Sequence, residues 1–142
     1  MILLDVNVLV YAFYAEAPEH ERYRDWLQSA VDSPEPVAVS DLVLSGFVRV
    51  TTNPRVIAPP IPLADALMFV DTLRASPGTV LVAPGERHWD IFERLCREAG
   101  ARGNLVTDAY LAALAIEFGC ELITTDRDFA RFPGLRWRHP LV

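Results

Sequence analysis

This 142-residue chain reads as an α/β sandwich built on a parallel sheet. Two patterns point there. Short apolar runs alternate with pairs of helix-like segments, in the order strand–helix–helix repeated three times and then a closing strand. That is the rhythm of a parallel sheet covered by helices. In addition, three segments carry an aspartate at a comparable place: Met1-Ile-Leu-Leu-Asp5, Asn104-Leu-Val-Thr-Asp108 and Leu122-Ile-Thr-Thr-Asp126. The first and last are strands that run into an acid, and the middle one is a helix start. In an open parallel sheet the C-terminal ends of the strands share one edge. Acids as distant in sequence as Asp5 and Asp126 can therefore meet in space.

The elements follow in order. Residues 2–4 form a buried strand, and a helix begins at Val6 and reaches Phe13. Over residues 19–31, Tyr23, Trp26, Leu27 and Ala30 lie on one helix face, and Pro34 and Pro36 break the helix. Val37-Ala-Val39 is a short strand. Ser40 caps a helix that runs to about Thr52. Asn53-Pro54 closes it, because the residue before proline avoids the helical region. Pro59, Pro60 and Pro62 mark a loop, after which residues 63–75 form a helix with Leu63, Leu67, Val70 and Leu73 along one side. Thr79 to Val82 is a strand, and residues 86–99 form a helix ended by Gly100 and Gly103. Asp108 to Phe118 is apolar almost all round, as a buried helix is, with Gly119 at its C-cap. Leu122 to Thr125 is a strand, and Trp137 marks a last edge strand. No repeat or linker divides the chain, so one domain over residues 1–142 is expected.

Apolar residues make up 51% of the sequence, which places it among globular chains. No apolar run approaches the roughly 20 residues of a membrane span. The N-terminus lacks the basic segment of a signal peptide, so a cytoplasmic location is expected. Cys96 and Cys120 lie 24 positions apart, fit no metal-ligand spacing and read as two buried thiols. His20, His88 and His139 stand singly and read as surface or capping residues. A net charge of −6 taken alone argues against a nucleic-acid partner. However, an acid cluster accounts for part of it, and all 13 basic residues are Arg. Arg suits bidentate phosphate contacts, although an Arg-rich codon usage explains the missing Lys equally well.

Carboxylates held together cannot all ionise comfortably without a cation between them. An all-oxygen cluster selects a hard ion, Mg²⁺ or Mn²⁺. Asp5, Asp108 and Asp126 are the candidate catalytic and metal-binding residues, and Asp128 is a further candidate ligand. Asn7 and Thr125 are candidates to support them by hydrogen bonding, and no substrate-binding residue stands out. Capping or an ordinary turn explains each acid alone. All three together point to metal-assisted chemistry on a phosphate. Other chemistries fare worse. Phosphatases of the haloacid-dehalogenase type, receiver domains and P-loop proteins all need a site lysine, and this chain has none. The G-x-S-x-G elbow of a serine hydrolase is also absent.

Leu3-Leu-Asp5-Val-Asn7-Val-Leu, Thr107-Asp108-Ala-Tyr-Leu-Ala-Ala-Leu-Ala and Leu122-Ile-Thr-Thr-Asp126-Arg-Asp128-Phe resemble the PIN domain. More closely, they resemble the VapC-type toxins of bacterial toxin–antitoxin pairs. The likeness runs from residue 1 to about Leu135. It implies a three-layer α/β/α domain with a central parallel sheet. It also implies a Mg²⁺- or Mn²⁺-dependent endoribonuclease that cuts RNA with metal-activated water, a homodimer, and a VapB-type antitoxin that blocks the site. One departure stands out. The family pattern has a Glu in the helix after the second strand, where this chain reads Ser45-Gly46-Phe-Val-Arg49. Asp41 lies five residues before Gly46, well round a helix of about 3.6 residues per turn, and does not replace that Glu. Asp128 or water is the better substitute. The alternative left open is a PIN-like protein that binds RNA or a partner without cutting.

Overall fold

The computed structural model describes residues 1–142. Its strands are β1 (Ile2–Leu4), β2 (Val37–Val39), β3 (Thr79–Leu81), β4 (Glu121–Ile123) and β5 (Trp137–Arg138). Its helices are α1 (Val6–Phe13), α2 (His20–Asp32), α3 (Asp41–Thr51), α4 (Leu63–Ala75), α5 (His88–Ala99) and α6 (Asn104–Glu117), with a 3₁₀ turn at Arg127–Arg131. The strands form one parallel sheet in the order β3-β2-β1-β4-β5. Central β1 and β2 are buried at every residue, whereas edge β3 leaves Val80 and Leu81 exposed. Uninterrupted apolar runs are what strands covered on both faces require.

The topology places the site. From β1 the chain steps outward to β2 and β3, then returns across the sheet to β4 on the other side of β1. Right-handed crossovers therefore put α1–α4 on one face and α5 and α6 on the other. The direction reverses between β1 and β4, and a crevice opens at such a switch point, outside the carboxyl ends of the strands. Leu3 pairs in register with Leu122 and Leu4 with Ile123, so β1 and β4 end level. A single cluster of 32 buried apolar residues holds the layers together. On one face Phe13, Phe47 and Phe69 lock α1, α3 and α4, with ring centroids 4.8–5.5 Å apart.

Most elements fall where the sequence puts them, and Ser40 Oγ accepts from the Val43 amide at 3.2 Å as a cap should. Helix α6 differs: it starts at Asn104, four residues before Asp108. Gly103, with φ +58°, makes the turn, and Leu105 and Val106 pack half-buried as the first turn of the helix. Their burial outweighs the modest helix penalty of a β-branched residue. Gly119 lies one residue beyond the C-cap, Phe118. His88 is a correction to the surface reading: it is 2% exposed, and its Nε2 donates to the Tyr110 carbonyl at 3.0 Å, tying α5 to α6. Cys120 is buried and Cys96 half-buried, both as free thiols.

Candidate active site

Asp5 leaves β1 at the switch point in extended conformation (φ −87°, ψ 159°) and becomes the N-cap of α1. Its Oδ1 accepts from the Val6 amide at 2.7 Å and its Oδ2 from the Thr124 hydroxyl at 2.7 Å. Thr124, fully buried just beyond β4, also accepts from the Asp126 amide at 3.0 Å. One hydroxyl thus bridges two acids that lie 119 and 2 positions from it. Asp126 in turn caps the 3₁₀ turn, its Oδ1 accepting from the Asp128 amide at 2.8 Å. Asp108 arrives from the opposite layer, one helical turn into α6.

These three carboxylates line one cavity of about 590 Å³. Val6 and Asn7 form its α1 side, Gly46 and Arg49 its α3 side, and Thr107 stands beside Asp108. A cavity of similar size, about 570 Å³, lies between α2 and α4 but contains one carboxylate, Asp32. A smaller cavity along α5 also holds three acids, but there Glu93 pairs with Arg97 and Glu98 with Arg94, whereas the switch-point cavity gathers its three from distant segments.

A PIN domain model matches residues 2–135, from the first strand to just short of the last. The chain belongs to the PIN-domain family. It is 48% identical to Ribonuclease VapC43 of Mycobacterium tuberculosis over 141 residues, covering 99% of this chain and 96% of that one. It is 41% identical to Ribonuclease VapC25 of the same organism, with both chains covered in full. Among solved structures, VapBC2 from Rickettsia felis bound to a DNA fragment from its promoter superposes with a TM-score of 0.72, 98% of each chain covered, at 19% identity. At that identity the likeness speaks for the fold, and the fold is the three-layer parallel α/β domain of this family.

Within this PIN domain the acids do not share one environment. Burial pushes the Asp5 carboxyl up, while the Thr124 and Val6 hydrogen bonds pull it down and the Asp126 charge adds a smaller upward push. Asp108 has no hydrogen bond to offset its burial, and Asp126, Asp5 and Asp128 all repel its charge. Its pKa rises to about 6. The macrodipole gives little relief, because it fades beyond the first turn and Asp108 is the fifth residue of α6. A capping role therefore does not explain Asp108.

The donor set is all oxygen, which suits a hard divalent cation. No three acidic, His or Cys side chains are gathered tightly enough to enclose a bare ion. An ion that keeps several waters and takes one or two carboxylates fits such an open set. Of the other residues singled out in the sequence, Asn7 lines the cavity. Asp128 is exposed and lies off the cavity wall, and its contributions are the amide that holds Asp126 and the charge felt by Asp108. Asp41 is exposed and pairs with Arg74 at 3.0 Å, away from the acids. Thr125 is corrected to Thr124: Thr125 faces a neighbouring cavity, and the hydroxyl that supports Asp5 and Asp126 belongs to Thr124. The usable signal was burial, since a Thr continuing an apolar strand needs a partner for its hydroxyl. Gly46 does face the cavity, but a Cβ there would stand 3.0 Å from Val6 Cγ2. Val6 would thus have to shift by a few tenths of an ångström to admit a side chain there. Arg49, missed in the sequence, is the cation of the cavity and forms no salt bridge.

Proposed function

We propose that this PIN domain is a divalent-metal-dependent endoribonuclease, the toxin of a VapBC-type pair. The observation that carries the reading is the convergence of Asp5, Asp108 and Asp126 from three distant segments on one cavity at the switch point. Identity of 48% to a VapC ribonuclease across nearly the whole chain supports it. Asp5, Asp108 and Asp126 would hold Mg²⁺ or Mn²⁺, one or two of them directly and the rest through its waters. When bound, such an ion supplies Lewis acidity at a phosphate and a water of lowered pKa. The residues around it do the rest. Thr124 and the Val6 amide keep the Asp5 carboxylate turned into the cavity. The Asp108 carboxylate is unpaired and repelled by its neighbours, so it gains most from a cation. Arg49 offers a guanidinium to a non-bridging phosphate oxygen in the same cavity. The substrate class is single-stranded RNA or an RNA loop, whose backbone can enter an open crevice. The partner in this reading is a VapB-type antitoxin, and the chain acts as a homodimer.

The second reading, an RNA- or partner-binding PIN protein without catalysis, draws on Gly46, where the family Glu is missing and a Cβ would stand 3.0 Å from Val6. One experiment separates the two. Wild-type protein with Mn²⁺ is expected to cleave RNA, and Asp108→Asn to lower kcat/KM at least about a hundredfold with its circular dichroism unchanged. Mn²⁺ is expected to raise the unfolding temperature of the wild type and not of the variant. Cleavage by Asp108→Asn at the wild-type rate would overturn the site. A wild type that is neither active nor stabilised by Mn²⁺ would favour the binding reading.

A further inference from the structure

Beside the acids lies a second cavity of about 460 Å³ that the reaction so far leaves without a role. Thr125 and Arg127 line it together with Trp137, Arg138 and His139. Asp126, between Thr125 and Arg127 in the chain, lines the acid cavity instead. Successive residues thus face alternate cavities, and the wall between the two is one segment of chain thick. Both open at the same edge of the sheet. Strand β5 runs parallel to β4, with Leu122 opposite Trp137 and Ile123 opposite Arg138. His139 therefore emerges level with Thr124, where β4 hands the chain to Asp126.

The chemistry of this second cavity is the inverse of the first. Residues 126–142 hold four Arg and two Asp, a net +2, whereas residues 1–125 hold nine Arg and seventeen acids, a net −8. A basic stretch of an acidic protein thus abuts its acid site. Within the cavity Arg138 is engaged by Glu121, and His139 is held by the Leu141 amide at 3.1 Å and by Tyr23 Oη at 3.4 Å. Arg127 is exposed and carries no salt bridge. Trp137 is half-buried, packed against the core on one side and lining the cavity with the rest of its surface. A free guanidinium beside an anchored indole is the combination that holds a nucleotide of a single strand, the phosphate by charge and the base by stacking.

We propose that this cavity is a subsite for the nucleotide adjoining the scissile phosphate, whose base stacks on Trp137 while its phosphate pairs with Arg127. The proposal takes its substrate class from the ribonuclease reading. It explains how a protein of net charge −6 holds a polyanion: the attraction is local and lies next to the point of cleavage.

The test is fluorescence anisotropy of a labelled single-stranded RNA of about ten nucleotides binding the full chain in EDTA, where no cleavage occurs. Affinity is read without metal, so the result does not depend on whether the chain cuts RNA, which the activity assay decides separately. Arg127→Gln and Trp137→Leu are each expected to weaken binding about tenfold, and Trp137→Phe to keep most of it because a ring remains to stack. Arg127→Gln also lowers the salt slope by about one. Arg131→Gln, an exposed change in the same basic stretch but outside the cavity, is expected to alter affinity at most about twofold. Wild-type affinity in Arg127→Gln, or an equal loss in Arg131→Gln, would overturn the subsite. So would a wild type that does not bind the RNA. Arg127 is exposed, so its substitution carries the test even if Trp137→Leu fails to fold.

Discussion

On the sheet side of the acid cavity Asp5 accepts a hydrogen bond on each carboxylate oxygen, whereas on the helix side Asp108 is shaped by burial and repulsion alone. The two residues share a side chain and a cavity. They differ in what the backbone offers them. A strand end that becomes a helix cap supplies an amide, and the neighbouring strand supplies a buried hydroxyl. The interior of a helix supplies nothing, because its amides are already spent on the carbonyls a turn earlier. The sheet wall is therefore set in place without a ligand, and the helix wall is held in a state that a cation relieves.

Breaking the sheet wall should have the largest effect. Thr124→Val keeps the shape but removes the hydroxyl that serves both Asp5 and Asp126. Two half-buried partners are left unsatisfied, so chemical denaturation should show a loss of about 2–3 kcal/mol. RNA cleavage should fall about ten- to a hundredfold, as with other groups that orient metal-site side chains. Thr124→Ser should restore most of both, and a Thr124→Val protein of unchanged stability and activity would show that the bridge is ornamental.

Filling the α3 side of the cavity comes next. Gly46→Glu adds the family's acid and brings its Cβ to 3.0 Å from Val6 Cγ2, a contact that should cost about 1–3 kcal/mol by overpacking. Val6→Ala in the same chain should recover part of that cost, which a double-mutant cycle reads as a favourable coupling. With room made, Mn²⁺ calorimetry should show tighter binding in the double variant than in the wild type. Additive effects on stability would mean that Val6 is not what excludes a side chain there.

The smallest effect concerns the charge of Asp108 in the metal-free protein. Its pKa is about 6 folded and 3.8 as a free side chain, so the folded state binds the proton more tightly. The cost of ionising it is absent below the unfolded value and complete above the folded one, and stability falls as pH rises between them. Asp108→Asn should abolish that part of the slope and gain on the wild type from about pH 4 to about pH 6. The gain should be on the order of 1 kcal/mol, less than the full shift implies, because Asp108 is only half-buried and water screens it. Parallel pH profiles for the two proteins, measured in EDTA, would contradict the electrostatic account.

Much of this molecule was legible in its residues. The apolar runs at Ile2–Leu4 and Val37–Val39 are the central strands, Ser40 is a cap, and the three aspartates the sequence marks out do share a cavity. These features are local. A strand buried on both faces must be apolar throughout, and parallel topology alone brings strand ends to one edge.

What only the tertiary structure decided lies between elements. Thr124 rather than Thr125 supports the acids, because which of two neighbouring threonines points inward depends on where β4 stops pairing. A side chain at Gly46 would crowd Val6, on another helix, at its Cβ. Arg49 enters the site because α3 packs on α1, whose first residues line the same cavity, and the sequence marks it as one Arg among 13. Asp126 and Arg127 face different cavities because the chain turns from extended backbone at Asp126 into the 3₁₀ turn at Arg127. The physical reason is the same in each case. A residue's type and its place along the chain set which element it joins, while the direction its side chain takes, and what it meets there, is settled by the packing of segments that are far apart in sequence.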